Sequence, residues 1–397
     1  MEEENISYLQ AFPENGSLRI LFPDRITTSN APAIRTEVFE LLSGIPHSDV
    51  IADFDQVQYI SSSGLRVILE LIRKEVRFKI VRVNPEPYEI FGMTGFLMMA
   101  DIQKKRRQIS LEGAEKIGWG FTSDVYRLDE DTIVKVFHKD IASLEGIGEE
   151  LRRAKQAFTA GIPTAISYDI VEVGDCYGVV FEMMDGSLLR DAILAEPDKF
   201  DEYMEQYTGL LRNVAETVVT DPSIADMKQV EKEKLDFLGN CVLTPDEVKS
   251  MERVLGAIPD TGTYVHGDCH IKNIMLNSGE MTLIDMEMLS KGSPVFELGA
   301  LYSTHIVFET IIPHNVEEFL GIPAELSRRI FDRTLEGCIP SFGLDPEEAE
   351  QLVKIIGCFQ CLYMMARYKT EHPEYAEHAA RLLRERLSKW EAGYLPK

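Results

Sequence analysis

The sequence has few cysteines, few basic residues for its number of acids, and no long apolar run. Six cysteines in 397 residues do not suggest a disulfide framework. Only Cys358 and Cys361 lie close together, and without a second ligand pair they indicate reduced, buried thiols rather than a zinc site. No segment approaches the roughly 18 apolar residues of a membrane span, and MEEENIS lacks the features of a signal peptide. These absences predict a cytoplasmic protein.

The charge balance is strongly acidic. The chain has 66 Asp and Glu against 41 Lys and Arg, a formal net charge of −25. Such a surface repels phosphate backbones and anionic lipid, so neither nucleic acid nor a membrane is an expected partner. Residues 1–110 are nearly balanced, and most of the excess acid follows them. Those acids would favour a cationic ligand if they line a cleft, or simply solvate helix faces, and the sequence leaves both open.

Length and pattern divide the chain into two domains. Residues 1–103 alternate strand-like runs with amphipathic helices, which predicts a small α/β domain. Residues 104–111 contain KKRRQ and are interpreted as a basic linker. The second domain spans residues 112–397, with a β-rich small lobe over 112–184 and a mostly helical large lobe over 185–397.

A serine-rich turn precedes a helix in the first domain. In DFDQVQYISSSGLRVILELIRKEV a strand stops at Ser61-Ser62-Ser63-Gly64, and apolar residues at helical spacing follow. A serine here can cap the helix, and the same helix N-terminus would also stabilise a phosphate on Ser63. The residues alone favour the cap.

This stretch, with DRITTSNAPAIRTE before it and NPEPYEIFGMTGF after it, resembles the STAS domain of anti-sigma-factor antagonists over nearly all of residues 5–103. In that family the serine directly before Gly-Leu is phosphorylated by a partner kinase, which controls partner binding. The matching residue is Ser63. Many relatives carry Asp where Ser61 stands, so the chain departs from the family at that position. The resemblance implies an α/β STAS-like fold and a regulatory protein partner, such as an anti-sigma factor.

The second domain contains the parts of a phosphoryl-transfer site. In EKIGWGFTSDVYRL, Gly118 and Gly120 lie between two strand-like runs, where glycine lets backbone amides approach phosphates. A plain β-turn has the same pattern. Lys135 lies in the apolar strand IVKVF and needs an anionic partner there. The following helix offers Glu149 and Glu150, either of which could also be a solvated helix-face residue.

The segment YVHGDCHIKNIMLNSGEMTLIDMEML is the most informative. Asp268 follows His266-Gly267, Asn273 comes five residues later, and Asp285 ends an apolar run. Phosphoryl transfer from ATP needs a carboxylate that orients and deprotonates the attacking hydroxyl, and oxygen ligands that hold Mg²⁺. Asp268 fits the first role, and Asn273 and Asp285 fit the second. Each alone would be an ordinary turn residue, whereas their joint spacing with Lys135 and the glycines indicates a site for phosphoryl transfer.

From about residue 112 to at least residue 305 the chain resembles the aminoglycoside phosphotransferase-like branch of the protein-kinase fold. HGDCHIKN and LIDMEMLSKGSPVFELG carry the resemblance. It implies a two-lobed α+β protein-kinase-like domain, with Lys135 paired to Glu150 and Glu287 as a second acid near the metals. It also implies that ATP lies between the lobes, at a glycine loop, a gatekeeper and a hinge. These are Gly118, Trp119, Gly120, Phe121 and Thr122 for the loop, Phe181 for the gatekeeper, and Glu182 to Met184 for the hinge.

The second domain departs from the usual patterns at three places. His-Gly-Asp replaces His-Arg-Asp, and Glu297 follows only twelve positions after Asp285, without Ala-Pro-Glu. Little room remains for a segment that docks a protein, which favours a small-molecule hydroxyl. Glu297 stands where relatives usually have Asp, and its longer side chain is expected to loosen the support of the catalytic loop without abolishing it.

The sequence therefore predicts a Mg²⁺- and ATP-dependent phosphotransferase that acts on a hydroxyl of a small molecule and carries a STAS regulatory domain. Relatives phosphorylate antibiotics, choline-like alcohols, sugars and homoserine, and no residue pattern identifies the acceptor. The alternative is a signalling protein of the anti-sigma-factor antagonist type, whose kinase-like domain phosphorylates the STAS domain at Ser63 or is controlled by it. A third possibility is a nucleotide-binding scaffold without catalysis, which the intact Lys135, Asp268, Asn273 and Asp285 oppose.

Overall fold

The computed structural model describes residues 7–14, 16–75, 77–120, 122–139, 141–277, 279–341 and 343–394. The chain forms two compact units, Met1–Ile109 and Ser110–Lys397. Each unit has a hydrophobic core of its own. All six cysteines are free, and both Cys358 and Cys361 are buried, as expected. Among the described residues, no helix is long and apolar enough to pass through a membrane.

The first unit is an α/β layer structure. Its main sheet has the order β1-β2-β4-β6-β7, in which β1 and β2 are antiparallel and the other neighbours are parallel. Two short strands, β3 and β5, pair separately. The elements are β1 Gln10–Glu14, β2 Ser17–Leu21, β3 Arg25–Ile26, α1 Ala31–Gly44, β4 Asp49–Asp53, β5 Tyr59–Ile60, α2 Ser62–Lys74, β6 Phe78–Val83, α3 Pro85–Met93 and β7 Asp101–Lys104. A further short strand, β8, spans Arg107–Gln108 in the predicted linker.

The serine turn forms the start of α2. Ser61 is the N-cap, and its Oγ accepts a hydrogen bond from the Gly64 N–H at 3.3 Å. Ser62 and Ser63 follow in the first turn, with Ser62 exposed and Ser63 half-buried. A Cβ on Gly64 would lie 2.5 Å from Cγ2 of Ile26, so this turn requires glycine.

The second unit begins with the small lobe. Its strands run in the antiparallel order β12-β13-β11-β10-β9. The elements are β9 Glu115–Trp119, β10 Ser123–Arg127, β11 Thr132–Phe137, α4 Leu144–Thr159, β12 Ser167–Val173 and β13 Cys176–Glu182.

The large lobe is mostly helical, as predicted. Its elements are β14 Gly186–Leu188, α5 Leu189–Ala195, α6 Phe200–Glu216, α7 Met227–Gly239, α8 Pro245–Ala257, β15 Tyr264–Val265, β16 Ile274–Asn277, β17 Glu280–Leu283, β18 Ser290–Lys291, α9 Pro294–Tyr302, α10 Phe308–Ile311, α11 Asn315–Leu320, α12 Ala324–Cys338, α13 Pro346–Tyr368 and α14 Pro373–Tyr394. Helices α9 and α13 cross closely at two glycines, since a Cβ on Gly357 would lie 2.7 Å from the carbonyl oxygen of Gly299. Trp390 of α14 is buried in the same core.

Helix α4 belongs to both lobes. Ile147 packs with Phe137 and Val179 in a small core beneath the β-sheet. Ala154 and Ala157, two and three turns further along, are buried in the core of the large lobe. The small alanine side chains let the second half of the helix approach the large lobe closely, so α4 is fixed to both halves of the unit.

Candidate active site

Lys135 lies at the centre of a cluster of carboxylates between the lobes. It comes from β11, and its Nζ lies 2.7 Å from Oε1 of Glu150 on α4 and 3.2 Å from Oδ1 of Asp285. Burial lowers the pKa of Lys135, but the carboxylates of Asp285 and Glu150 outweigh it and raise the pKa above its usual value. Lys135 therefore carries a positive charge at any physiological pH.

The two partners of Lys135 differ in their environment. Glu150 is almost fully buried, and burial raises its pKa despite the neighbouring ammonium group. Asp285 keeps 39% of its side chain open to the cleft. Desolvation raises its pKa, but Lys135 outweighs this effect and the net shift is downward. Asp285 is thus the ionised carboxylate that faces the open cleft.

Asp268 and Asn273 belong to the loop between β15 and β16. The Asn273 Nδ2 donates to the carbonyl oxygen of Asp268 at 2.9 Å and to its Oδ2 at 3.1 Å. The Asp268 side chain is 45% exposed, so its carboxylate can meet a bound molecule. Burial, and then the negative charges of Asp285 and Glu297, raise the pKa of Asp268 to about 8. The concentration of carboxylates here favours a positively charged ligand.

His266 and Gly267 shape this loop. The fully buried His266 has Nε2 3.2 Å from the carbonyl oxygen of Ile284 and accepts the Asp268 N–H at Nδ1, 3.3 Å away. The proton therefore belongs on Nε2. Gly267 has φ of 82°, and a Cβ there would lie 3.1 Å from Cβ of Met288. These constraints explain why glycine stands where protein kinases have arginine.

Glu297 supports the loop from α9. Its Oε2 accepts the backbone N–H groups of His266 at 2.6 Å and Gly267 at 3.0 Å, and its Oε1 accepts that of Cys269 at 3.3 Å. The Glu297 carboxylate therefore holds the loop by three hydrogen bonds. His266 was not recognised as a site residue in the sequence, although its place in HGD was a usable signal.

The glycine hairpin joins β9 to β10. Gly118 pairs with Val125, and a Cβ on Gly118 would lie 3.4 Å from the Val125 Cβ. The Gly120 N–H donates to the Ser123 carbonyl at 2.8 Å, so in this conformation it closes the hairpin and is not free to bind phosphate. Trp119 is 82% exposed. The Thr122 carbonyl accepts the His138 N–H, and Phe121 lies outside the described residues.

The predicted gatekeeper and hinge residues end β13. Phe181 pairs with Ile133 of β11 and packs against the cores of both lobes. Glu182 is held by Ile166, whose N–H donates to Oε1 of Glu182 at 2.7 Å. Met184 follows and accepts the Gly186 N–H at its carbonyl oxygen. The first part of the hinge is therefore held in place by its contacts with the β-sheet of the small lobe.

The donor atoms in the cleft suit Mg²⁺. Asp285 presents a carboxylate, and because Asn273 uses its amide nitrogen on Asp268, its amide oxygen is the atom available to a cation. Glu287, exposed two residues after Asp285, adds another carboxylate. Oxygen ligands with excess negative charge are what Mg²⁺ prefers, and the Lys135 ammonium group suits a polyphosphate. The residues fit both groups.

Two families match the chain. Residues 113–320 match the phosphotransferase enzyme family, and residues 14–109 match the STAS domain. The chain therefore belongs to the phosphotransferase enzyme family and carries a STAS domain before it. The protein is a kinase, an enzyme that transfers a phosphoryl group to a hydroxyl, and the predicted fold classes are confirmed.

Several solved structures are similar to the chain. Wild-type aminoglycoside 2'-phosphotransferase-IIIa in its GDP complex is 14% identical, over 76% of this chain and 98% of that one, with a TM-score of 0.41. The aminoglycoside phosphotransferase APH(3'')-Id from Streptomyces rimosus, with ADP and streptomycin, is 16% identical, over 68% and 92%, with a TM-score of 0.42. Choline kinase from Cryptosporidium parvum is 11% identical, over 70% and 89%, with a TM-score of 0.38. No curated protein matches the chain.

Proposed function

We propose that the protein uses Mg²⁺ and ATP to phosphorylate a hydroxyl group of a small molecule, and that its STAS domain regulates this activity or its partners. The observation that carries the proposal is the meeting of Lys135, Glu150 and Asp285 opposite the loop that contains Asp268 and Asn273. Together these groups can hold a charged triphosphate and an attacking hydroxyl in one cleft.

The chain after Asp285 favours a small acceptor over a protein. Strand β18 pairs with β15 only a few residues later. The Lys291 N–H donates to the Ala225 carbonyl at 2.8 Å, and the Gly292 N–H donates to the Thr263 carbonyl at 2.9 Å. This segment is tied to the large lobe before α9 begins, so it leaves no long loop on which a peptide substrate could lie.

The proposed mechanism is a single displacement. Lys135, held by Glu150, orients the phosphates, and the glycine hairpin closes over them. Asp285 and Asn273 would hold Mg²⁺, which would supply charge neutralisation on the phosphoryl group. Asp268, in its ionised form, accepts a hydrogen bond from the acceptor hydroxyl and aligns its oxygen for attack. As the bond from this oxygen to the γ-phosphorus forms, the bond from that phosphorus to the bridging oxygen breaks, ADP leaves, and the hydroxyl proton passes to Asp268.

The acceptor is best sought among cationic alcohols. Asp285 is ionised and lies beside the exposed Glu287, whereas Lys135 is already paired with Glu150, so the described part of the cleft favours a cation. Amino alcohols and aminoglycosides share a protonated amine beside a hydroxyl, which matches this charge. Neutral sugars and nucleosides form the comparison class.

The test is ATP consumption by the full chain against these four classes of hydroxyl compound. We expect turnover with at least one cationic acceptor, and a loss of about 10²- to 10⁴-fold in Asp268→Asn, because that variant removes the proton acceptor. Asp285→Asn should also lose turnover and need more Mg²⁺. Asp198→Asn, an exposed acid at the start of the large lobe, is the matched control. Wild-type protein that consumes ATP with none of the panel would contradict the proposal.

A further inference from the structure

The backbone that carries Asp285 is strained. Asp285 has φ of 65° and ψ of 77°, a left-handed conformation that is unfavourable for residues other than glycine. A short helical turn, Met286–Met288, follows directly. Strain of this kind persists only where the surroundings hold the backbone in place. The contacts on both sides of Asp285 therefore matter for where its carboxylate points.

Hydrogen bonds on both sides hold this segment. Before Asp285, the Ile284 N–H donates to the Asn273 carbonyl at 2.9 Å, and the His266 Nε2–H donates to the Ile284 carbonyl at 3.2 Å. After it, the backbone N–H of Glu287 lies close to the Asp285 carboxylate. The carbonyl of the same Glu287 accepts a hydrogen bond from Nη1 of Arg153. The segment after Asp285 is thus held in place at Glu287.

Arg153 is well placed to fix this point. It lies on α4, three residues after Glu150, so the two side chains leave the same face of the helix. Its Nη2 is 3.1 Å from Oε2 of Glu149, which holds the guanidinium in one orientation, and the side chain is only 21% exposed. The next residue, Ala154, is buried in the core of the large lobe, so the helix gives Arg153 a firm base.

We propose that Arg153 is a positioning residue for the Mg²⁺ site, which holds the Glu287 carbonyl so that the turn after Asp285 keeps its carboxylate directed into the cleft. The inference rests on the proposed function, since it assigns Mg²⁺ to Asp285. It makes α4 the common support of two parts of the site. Glu150 orients Lys135 from this helix, and Arg153 orients the metal-binding turn.

The neighbouring Arg152 offers a matched comparison. Its guanidinium contacts Oγ of Ser223, in a loop of the large lobe that carries none of the site residues. Gln156, on the next turn, contacts Asp221 of the same loop. Arg152 therefore anchors α4 to the large lobe without contacting the turn after Asp285. A role in anchoring alone would make the two arginines equivalent.

The experiment measures ADP affinity of the full chain by calorimetry, with Mg²⁺ and with a chelator, for the wild type, Arg153→Met, Arg152→Met and Arg153→Lys. Mg²⁺ should raise the ADP affinity of Arg153→Met by about tenfold less than it raises that of the wild type. A factor of about ten is the size expected for one charge-assisted hydrogen bond. The affinity of Arg153→Met for metal-free ADP should stay unchanged, which also shows that the protein is folded. Arg153→Lys can still donate to the carbonyl and should restore part of the gain, and Arg152→Met should keep all of it.

The outcomes separate the inference from the proposed function. A wild-type protein whose ADP affinity does not respond to Mg²⁺ would overturn both. A normal wild-type response that Arg153→Met retains would overturn the inference alone. Equal losses in Arg152→Met and Arg153→Met would also overturn it, because they would reduce Arg153 to an anchor of the helix. The same is true if Arg153→Met weakens metal-free ADP binding by as much as it weakens binding with Mg²⁺.

Discussion

Glu297 supports the catalytic loop with both oxygens of one carboxylate. It accepts the backbone N–H groups of His266, Gly267 and Cys269. In Glu297→Gln the amide nitrogen replaces one acceptor and leaves at least one buried N–H unpaired, which costs about 1–3 kcal/mol. We expect the free energy of unfolding to fall by about 2 kcal/mol, measured by urea denaturation of the full chain.

The matched variant Glu297→Asp keeps two acceptor oxygens on a shorter side chain. It should lose less stability than Glu297→Gln, and it should retain more turnover with the acceptor found in the screen. Equal stability of Glu297→Gln and wild type would show that these three hydrogen bonds contribute nothing to folding.

Single residues of the site differ in how far the sequence reveals them. The sequence predicts roles for Lys135, Asp268, Asn273 and Asp285 from residue types and joint spacing, and the structure brings these side chains together in one cleft. Arg153 lies in no such motif. Its partner is a backbone carbonyl, a group that every residue has, so only the fold shows which carbonyl it meets.

At the scale of helices, the crossing of α9 and α13 depends on glycine. A Cβ on Gly357 would lie 2.7 Å from the carbonyl oxygen of Gly299 and 2.8 Å from Cδ1 of Tyr302. Overpacking of this kind costs about 1–3 kcal/mol, more than the helix propensity that alanine adds. We expect Gly357→Ala to lower the free energy of unfolding by about 2 kcal/mol, measured by urea denaturation.

Gly209 in α6 provides the control, because no atom lies within 4 Å of the position that its Cβ would take. Gly209→Ala should stabilise the protein by about 0.5–1 kcal/mol. A Gly357→Ala variant as stable as Gly209→Ala would show that the two helices separate at no cost.

The sequence predicts where a helix lies in the chain better than it predicts which elements that helix packs against. It predicts a helix with Glu149 and Glu150 after the strand of Lys135, and the structure has α4 at Leu144–Thr159. The burial of Ala154 and Ala157 in the large lobe was not foreseen, because alanine is compatible with both exposed and buried helix faces. Gly299 and Gly357 meet across a long stretch of chain, and periodicity within one helix contains no information about such a partner.

At the scale of the whole molecule, the proposed preference for a small acceptor predicts whether the kinase unit phosphorylates the STAS domain. If the kinase unit acts on small molecules, it should leave the serines of α2 unmodified. After incubation of the pure full chain with Mg²⁺ and ATP, we expect no phosphate on Ser63 or on the more exposed Ser62 by mass spectrometry. The segment after Asp285 is tied to β15, which leaves no loop to seat a peptide.

Turnover of the small acceptor in a parallel sample shows that the enzyme is active, and Ser63→Ala identifies the modified position. A phosphate on Ser63 that is absent from the Asp268→Asn protein would instead favour the signalling alternative. A phosphate that appears only after a separate kinase is added would agree with the resemblance to anti-sigma-factor antagonists.

The two tryptophans of the chain occupy contrasting places. Trp119 is 82% exposed at the glycine hairpin, whereas Trp390 is 3% exposed within the helical core. Indole fluorescence follows the polarity and mobility of its surroundings, so nucleotide binding at the glycine hairpin, as proposed, should change the emission of Trp119 and leave that of the buried Trp390 unchanged. The protein thus carries its own optical reporter, with which the arrival of a nucleotide can be timed by rapid mixing without an attached dye.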